Sequence, residues 1–289
     1  MPIDQPIGSP SQERLKVACL QMRSGIDRMR NIEAVEVMAE SAAASGATLL
    51  ITPEMTNSVD RDAKRLRASL EAQNGALEQD AFSSLAKRLG VHLLVGSIAL
   101  LDGEGDLRNR SLLFAPDGAL VAHYDKIHMF DVELPGGETW RESAVYKAGD
   151  RAVIKDIGPA HLGLSICYDV RFPSLYRRLS RAGAHLLAVP AAFTKQTGEA
   201  HWKTLLSARA IENGAFVLAV AQGGHHEDGR DTYGHSMVVD PWGKVVAEKD
   251  DDAPGVLLAE LDLSLISAAR TRIPSLLLEH ANDVDIFVG

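Results

Sequence analysis

The stretch His161-Leu-Gly-Leu-Ser-Ile-Cys167 is an apolar run that ends in a cysteine, and Tyr168-Asp-Val-Arg-Phe-Pro173 follows it directly. The length and aliphatic content of the first run predict a buried strand. Residues 174–181 then have the spacing of a helix, and residues 185–189 form another short apolar run. Strand, helix and strand in succession are typical of an α/β protein, in which helices cover a sheet.

The same alternation extends in both directions along the chain. Further strands are predicted at residues 16–22, 48–52, 91–98, 111–115, 120–124, 216–221, 236–239 and 244–247. Further helices are predicted at residues 32–42, 77–89, 200–213 and 263–270, and glycine follows three of them as a stop signal. We therefore expect one domain over residues 15–289, with mixed sheets and outer helices, after a flexible N-terminal extension over residues 1–14.

Composition limits the classes of protein to which the chain can belong. Hydrophobic residues make up 46% and charged residues 24% of its 289 residues, as in an ordinary globular enzyme. The formal net charge of −9 argues against a nucleic-acid partner, because binding to phosphates needs a basic surface. The two cysteines cannot form a disulfide framework, and no signal peptide or membrane-length apolar run is visible. These features predict a cytoplasmic protein with neither a membrane nor a nucleic-acid partner.

Three residues with reactive side chains follow predicted strands. Glu54 ends Leu49-Leu-Ile-Thr-Pro-Glu54, Lys126 ends Leu120-Val-Ala-His-Tyr-Asp-Lys126, and Cys167 ends the run quoted above. Reactive groups of α/β enzymes gather just past the carboxyl ends of strands. We therefore treat these three residues as candidates for catalysis.

Together the three side chains would form an acyl-transfer site. A thiol reacts as the thiolate, and a helix N-terminus or a neighbouring lysine lowers the pKa of a cysteine from about 8.5. A carboxylate can accept the thiol proton and later protonate the leaving nitrogen. A lysine ammonium can stabilise the oxyanion of a tetrahedral intermediate. We therefore expect a low pKa for Cys167.

Each of the three residues has a more ordinary explanation when it is taken alone. A cysteine at the end of an apolar strand is more often a small buried hydrophobe, and for Cys19 we adopt that interpretation. A glutamate after a proline is usually a solvated acid or a helix cap, and Lys126 in such a place is usually an exposed charge. Taken one at a time, these residues therefore do not indicate catalysis. A feature that links Glu54, Lys126 and Cys167 to one another is needed.

Three segments supply that feature. Leu49-Leu-Ile-Thr-Pro-Glu54, Tyr124-Asp-Lys-Ile-His128 and Gly163-Leu-Ser-Ile-Cys-Tyr-Asp-Val-Arg-Phe-Pro173 resemble the signature segments of the nitrilase superfamily, the carbon–nitrogen hydrolases. They occur in that superfamily's order, and the resemblance extends over nearly the whole chain. It implies an α-β-β-α sandwich, homodimers or larger homo-oligomers paired through helical faces, and an activity that uses neither a metal nor an organic cofactor.

The resemblance also implies a role for each residue. Cys167 would be the nucleophile, Glu54 the general base and acid, and Lys126 the cation that stabilises the tetrahedral intermediate. A second glutamate often supports the lysine in this superfamily. Glu142 matches that position, and Glu133, which is nearer to Lys126 in sequence, remains its rival.

Further segments narrow the resemblance to one branch. Phe130-Asp-Val-Glu-Leu-Pro135, Ala200-His-Trp202 and residues 233–243 are similar to the branch that contains deaminated-glutathione amidase and omega-amidase. The implied reaction cleaves deaminated glutathione or a related 2-oxo ω-amide to an acid and ammonia through a cysteine thioester. Omega-amidase activity on 2-oxoglutaramate, hydrolysis of N-carbamoyl amino acids and nitrile cleavage are alternatives. The tail over residues 275–282 lacks the basic residues typical of this branch.

The segments around Cys167 also provide candidate substrate contacts. The backbone N–H of Tyr168 follows the nucleophile and is suited to hold an oxyanion. Arg171 is suited to bind a carboxylate, or alternatively to form a structural ion pair with Asp169 or another acid. Phe193 and Thr194 follow a predicted strand and are candidates for the pocket wall, although Phe193 is equally suited to the core.

Three other hypotheses explain less of the sequence. A papain-like hydrolase would pair Cys167 with one of the ten histidines, but this leaves Glu54 and Lys126 unexplained. A metal site at His225-His226-Glu227-Asp228 lacks the usual ligand spacing, and the segment has the composition of a solvated turn. A catalytically silent binding partner would not need all three reactive residues.

Overall fold

The computed structural model of the protein describes residue 10 and residues 13–72, 76–134, 137 and 139–278. The expected N-terminal extension lies almost wholly outside these residues, and so does the end of the tail that follows residue 278. Within the described residues, no helix combines the length and the apolar character needed to cross a bilayer.

The first sheet has six strands. They are β1 (Arg14–Gln21), β2 (Leu49–Ile51), β3 (His92–Leu101), β4 (Leu107–Phe114), β5 (Leu120–Asp125) and β16 (Gly255–Asp262), in the spatial order β16-β1-β2-β3-β4-β5. The central strands β1, β2 and β3 run parallel, and the outer pairs are antiparallel. The sheet is therefore mixed, as predicted.

The second sheet also has six strands. They are β8 (Ile154–Asp156), β9 (His161–Leu164), β10 (Leu186–Ala191), β11 (Phe216–Ala221), β14 (Met237–Val239) and β15 (Val245–Glu248), in the order β15-β14-β11-β10-β9-β8. Here β9, β10 and β11 are the parallel strands. Every residue of β10 and β11 is buried, which fits strands that are covered on both faces.

Helices form the two outer layers. The first sheet is covered by α1 (Arg28–Ala44) and α3 (Leu77–Leu89), and α2 (Ala63–Glu71) packs beside them. The second sheet is covered by α4 (Pro173–Arg181) and α5 (Lys195–Asn213), followed by α6 (Ser264–Arg272) and α7 (Ser275–Leu278). Gly90 and Gly214 end α3 and α5 in the left-handed conformation, as their positions predicted.

Side-chain alternation along the strands explains why the layers stack. In β1, Val17 and Cys19 belong to the core between the sheets, whereas Ala18 and Leu20 belong to the core beneath α1 and α3. A strand with period-two alternation and two apolar faces must be covered on both sides. The α-β-β-α sandwich is thereby confirmed, and Cys19 is a buried core residue as expected.

Two short ribbons lie outside the main sheets and were missed by the sequence analysis. One pairs β6 (Asp131–Glu133) with β7 (Thr139–Arg141), and the other pairs β12 (Gly223–His225) with β13 (Asp231–Tyr233). Each strand has only three residues, too few to show a periodic pattern. Both ribbons contribute to the cavity described below.

A close backbone approach joins β3 to the loop that carries Glu54. The register of β3 shifts between Val95 and Ile98, and at this irregularity the N–H of Gly96 donates to Thr52 Oγ1 at 3.0 Å. The neighbouring Ser97 Oγ accepts from the N–H of Met55 at 2.9 Å. A β-carbon placed on Gly96 would lie 2.0 Å from the carbonyl oxygen of Thr52, so only glycine fits.

Gly96→Ala should therefore destabilise the fold and displace the Glu54 loop. We expect a loss of about 1–3 kcal/mol in the free energy of unfolding, because backbone atoms cannot move aside as a side chain can. Urea unfolding followed by circular dichroism measures it. Gly103→Ala is the control, since a β-carbon there meets nothing within 4 Å. Equal stability of the two variants would contradict this account of the approach.

Candidate active site

The three candidate residues line one cavity of about 360 Å³. Glu54 follows β2, Lys126 follows β5, and Cys167 begins a 3₁₀ helix (Cys167–Arg171) after β9. A bridge between Met22 and Gln222 ties β1 to β11, so both sheets present carboxyl ends of parallel strands on the same side. The structure brings the three residues together, each less than a tenth exposed.

The Lys126 ammonium lies between two carboxylates. Its Nζ is 2.9 Å from Glu54 Oε1 and 2.8 and 3.0 Å from the two oxygens of Glu142. Glu142, which follows β7, also accepts the N–H of Phe130 at 2.7 Å. Glu133 is exposed and paired with Arg141. Of the two glutamates considered from the sequence, Glu142 is therefore the one beside the lysine.

Cys167 has an unusual backbone conformation. Its φ is +47°, in the left-handed region, and Met55, next to Glu54, has a φ of +55°. Such conformations cost of order 1–3 kcal/mol in residues other than glycine and persist only where surrounding contacts hold them. The predicted strand up to Cys167 ends earlier, at Leu164, because the chain turns here. The turn points the thiol into the cavity.

Asp169 is the side chain that holds this turn. Its carboxylate is fully buried and accepts the N–H of Ile166 at 2.9 Å and the hydroxyl of Tyr124 at 2.7 Å. It also accepts the backbone N–H of His128 and contacts that residue's Nδ1 at 2.7 Å. The carboxylate thus joins the Cys167 turn to the strand that delivers Lys126. The alternative ion pair between Asp169 and Arg171 is wrong, because these other groups occupy the carboxylate.

The charges of the site set the protonation states. Burial by itself raises the pKa of Glu54, but the charge of Lys126 and hydrogen bonds from Lys126, Cys167 and Asn109 outweigh it, and the pKa lies below its usual value. Burial likewise opposes the charge of Lys126, but Glu142 and Glu54 hold the pKa of its ammonium well above the ordinary value. At neutral pH the carboxylate and the ammonium are therefore both charged.

The expected low pKa of Cys167 is wrong for this site. Burial and the negative charge of Glu54 raise the pKa of the thiol well above its usual value, and the opposing effect of Lys126 is smaller. The expectation rested on the lysine and the helix start, and it left out the burial of the thiol and the negative charge of Glu54 beside it. The resting site therefore contains a neutral thiol beside an ionised base, which is the starting state for general-base catalysis.

Asn109 is a site residue that the sequence analysis missed. Its Nδ2 donates to Glu54 Oε1 at 2.9 Å and to Glu142 Oε1 at 3.1 Å, and its backbone carbonyl accepts the N–H of Lys126. The amide orientation follows from this, because the flipped form would turn an oxygen towards two carboxylates. Little in the sequence indicates a site residue at this position, since Arg108-Asn-Arg110 within β4 is an ordinary polar stretch.

All four predicted substrate contacts line the cavity: Tyr168, Arg171, Phe193 and Thr194. Phe193 is buried and its ring lies 4.9 Å from that of Trp202, so it belongs to both the core and the wall. The guanidinium of Arg171 lies 5.9 Å from the ring of Tyr168 and 5.5 Å from that of Phe193. Within the described part of the chain, no carboxylate pairs with Arg171.

The histidine segment considered as a metal site is held by other contacts. His225 is exposed, whereas His226 is buried, with Nδ1 2.8 Å from the carbonyl oxygen of Ser24 and Nε2 2.7 Å from Thr232 Oγ1. The two side chains have separate partners, and His226 is a packing residue and not part of a solvated turn. The acidic cluster Asp102, Glu104 and Asp106 is already paired with Arg108 and Lys147.

The chain is similar to known proteins over most of its length. Residues 16–271 match the family model described as carbon–nitrogen hydrolase. A deaminated glutathione amidase from Synechocystis is 40% identical over 263 residues, which cover 90% of this chain and 96% of that protein. These findings confirm the resemblance on which the sequence analysis relied.

Solved structures agree with this match. The NitFhit protein of C. elegans superposes with a TM-score of 0.85 at 37% identity, over 93% of this chain and 65% of that one. An amidase from Nesterenkonia, a nitrilase-superfamily member, has a TM-score of 0.76 at 25% identity, over 91% of this chain and all of that one. One structure of that amidase shows acrylamide added at its active-site cysteine.

Asn109→Asp should reduce activity more than Asn109→Ala does. The aspartate preserves the shape but places a third carboxylate beside Glu54 and Glu142, which disfavours the ionised base. We expect kcat/KM to fall by roughly 10²-fold or more, since general-base catalysis contributes about 10²–10⁴-fold. Steady-state kinetics, with unfolding curves to confirm folding, test this. Equal losses in the two variants would show that Asn109 only fills space.

Glu54→Gln should shift the alkylation of Cys167 to lower pH. The charge of Glu54 raises the pKa of the thiol, so its removal lowers that pKa and brings the thiolate form to lower pH. The rate of modification by iodoacetamide is followed by mass spectrometry from pH 6 to pH 10, and at a given pH the variant should react roughly tenfold faster, as for a shift of about 1 pH unit. Wild-type and variant rates that agree at every pH would reject the coupling.

Proposed function

The chain belongs to the carbon–nitrogen hydrolase family, and on that premise we propose that it is an amidase that works through a thioester on Cys167. The observation that supports this proposal is the cavity in which an ionised carboxylate, a buried ammonium and a neutral thiol meet. Glu54, Lys126 and Cys167 have the roles of base, oxyanion stabiliser and nucleophile. Glu142 supports the ammonium.

The first half of the reaction forms the thioester. Glu54 accepts the proton of the Cys167 thiol as the sulfur attacks the amide carbonyl, so the carboxylate becomes neutral and the oxygen becomes an oxyanion. The Lys126 ammonium and the backbone N–H of Tyr168 stabilise this oxyanion. Glu54 then gives its proton to the nitrogen, the carbon–nitrogen bond breaks, and the amine leaves. The raised pKa of the Cys167 thiol fits this order, because the thiol keeps its proton until the sulfur attacks the carbonyl and Glu54 accepts it.

The second half releases the acid. A water molecule attacks the thioester and transfers a proton to Glu54, and the carbon–sulfur bond breaks. The departing sulfur regains the proton from Glu54, which restores the starting state. The N–H of Ala192 donates to Glu54 Oε2 at 2.9 Å, so the carboxylate keeps one orientation through both halves.

The substrate that we propose is deaminated glutathione or a related 2-oxo ω-amide. Relatives named deaminated glutathione amidase support this choice, and so does Arg171, whose guanidinium faces the cavity beside Tyr168 and is suited to a carboxylate. The two substrates release different products. The amide nitrogens of glutathione are substituted, so hydrolysis of its deaminated form releases an amine, whereas a primary ω-amide releases ammonia.

A homodimer or larger homo-oligomer is part of the proposal. Large apolar side chains are exposed at the end of α5, in the β14–β15 turn that lies beside it, and on or just before α7: Ile211, Trp242, Ile273, Leu277 and Leu278. The regions at α5 and α7 are neighbours, because Ser275 hydrogen-bonds to the carbonyl of Glu212. Exposed apolar surface of this kind marks protein interfaces.

Both cysteines are free and buried, which fits a reducing compartment such as the cytoplasm.

A panel of amides tests the proposed activity. Deaminated glutathione, 2-oxoglutaramate, a nitrile and an N-carbamoyl amino acid are compared by assays for released amine, ammonia and acid. We expect turnover of the first two and a loss of at least about 10⁴-fold in Cys167→Ala, because the thioester cannot form.

Cys19→Ala is the matched control for loss of a buried sulfur. Cys19 lies in the core between the sheets, away from the cavity, so this variant should keep its activity. Persistent turnover in Cys167→Ala would overturn the thioester route. Preference for the nitrile or the carbamoyl compound would overturn the choice of substrate.

A further inference from the structure

The outer part of the cavity contains a group of cationic and aromatic side chains that the mechanism does not use. The guanidinium of Arg61 lies 5.2 Å, and that of Arg230 5.1 Å, from the centroid of the Trp140 ring. All three residues line the cavity that holds Cys167. They come from three separate segments, the loop after Glu54, strand β7 and the turn before β13. We call them the Trp140 cluster.

Arg230 is held in place by the fold. Its Nε donates to Asp228 Oδ2 at 2.8 Å, and that carboxylate is almost wholly buried. Among the described residues, no hydrogen bond engages the two terminal nitrogens of Arg230. An immobilised guanidinium with free terminal N–H groups is preorganised to bind a carboxylate, since little side-chain entropy remains to be lost.

The charge of the cavity contrasts with the charge of the protein. The chain has a net charge of −9, yet its cavity is lined by four arginines, Arg61, Arg141, Arg171 and Arg230. The lining acids have their own partners. Glu54 and Glu142 bind Lys126, Asp60 binds Arg65, and Asp231 contacts His225. Two of the arginines are paired as well, Arg141 with Glu133 and Arg230 with Asp228, but guanidinium groups keep further N–H donors that an anionic ligand can use.

An aromatic wall connects the Trp140 cluster to Arg171. The ring of Phe130 lies 6.1 Å from that of Trp140 and 5.1 Å from that of Tyr168, beside which Arg171 is placed. The nucleophile precedes Tyr168 directly, and Glu142 follows Trp140 by two residues. The row of rings Trp140, Phe130 and Tyr168 therefore has Arg61 and Arg230 beside its first ring and Arg171 beside its last, and Cys167 is next to Tyr168 in the chain.

We propose that the Trp140 cluster binds a carboxylate on the leaving-group half of the substrate, so that the enzyme prefers amides with an anionic group on each side of the scissile bond. This inference rests on the proposed function. Arg171 is on the same 3₁₀ helix as Cys167 and holds the carboxylate of the acyl half, which stays attached to the sulfur. Arg61 and Arg230 hold the half that leaves with the nitrogen, and Trp140 contacts its apolar part.

The test compares three substrates in the wild-type enzyme and in the double variant Arg61→Gln/Arg230→Lys. The substrates are deaminated glutathione, the same compound with its C-terminal carboxylate converted to a carboxamide, and 2-oxoglutaramate. Lysine at position 230 keeps a positive charge beside the buried Asp228, so the fold is retained, but it removes the planar guanidinium. Arg67→Gln is the control, because Arg67 lies on α2 outside the cavity.

The expected result is selective. For deaminated glutathione the double variant should raise KM about tenfold or more, which is the effect of losing one hydrogen bond to a charged group. The value of kcat should change much less, because this contact is the same in the ground state and the transition state. The carboxamide should show a similar rise with the wild-type enzyme and little further rise with the variant, because both changes remove the same contact. Kinetics with 2-oxoglutaramate, whose leaving group is ammonia, should not change.

The other outcomes would reject either the role of the Trp140 cluster or the proposed function itself. Equal losses for deaminated glutathione and 2-oxoglutaramate, or no loss for either, would overturn the role of the Trp140 cluster and leave the amidase proposal standing. Additive losses from the carboxamide and the variant would also overturn it. A wild-type enzyme that hydrolyses none of the three amides would reject the proposed function, and this inference with it.

Discussion

The burial of one ammonium between two carboxylates is the interaction on which the rest of the site depends. Removing an ion from water costs several kcal/mol, so Lys126 stays charged only because Glu54 and Glu142 are within hydrogen-bond distance. Two carboxylates and one ammonium leave a net negative charge, and burial together with the charge of Glu54 keeps the neighbouring thiol protonated. The same excess favours Asn109 as a neutral donor between the acids. A single electrostatic requirement therefore explains the neutral nucleophile, the ionised base and the amide that joins the acids.

Rigid support around the site is the second requirement. Cys167 and Met55 hold left-handed backbone conformations that are unfavourable in isolation. Asp169 holds the first with four contacts, and the approach of β3 at Gly96 and Ser97 holds the second. The first support connects the two sheets, because Tyr124 belongs to β5, and the second connects β3 to the loop that follows β2 in the same sheet. The strain is thus balanced by the whole fold, which explains why the reactive groups lie where both sheets end.

Within the cavity, the residues that carry out the reaction lie apart from those that are suited to select the substrate. Lys126, Glu54, Cys167 and Glu142 lie at its base and are almost completely paired with one another. The arginines and aromatic rings are placed further out, on the short β6–β7 ribbon, the 3₁₀ helix and the turn before β13. Such loops and ribbons can change between relatives without disturbing the reactive groups. Substrate preference is therefore expected to reside in these segments and the reaction type in the strand ends.

The order of residues was enough to predict the class of fold and to mark three candidate residues, because apolar periodicity and the three signature segments are local patterns. Apolar runs of strand length predicted β11 at its observed bounds, residues 216–221, and strand ends indicated Glu54, Lys126 and Cys167. Where local signals were weak, the prediction was incomplete. Strand β16 was missed, since only Val256-Leu-Leu-Ala259 is a continuous apolar run within it, and α5 begins at Lys195, earlier than residue 200, because Thr194 caps it.

Only the tertiary structure decided the properties that depend on distances between remote segments. The pKa of the Cys167 thiol depends on Glu54, which is more than a hundred residues away in sequence but within hydrogen-bonding reach in space. The choice of Glu142 over Glu133, the place of Asn109 and the Trp140 cluster follow from the same convergence. Electrostatic energy depends on separation and burial, and neither quantity is contained in the order of residues along a chain.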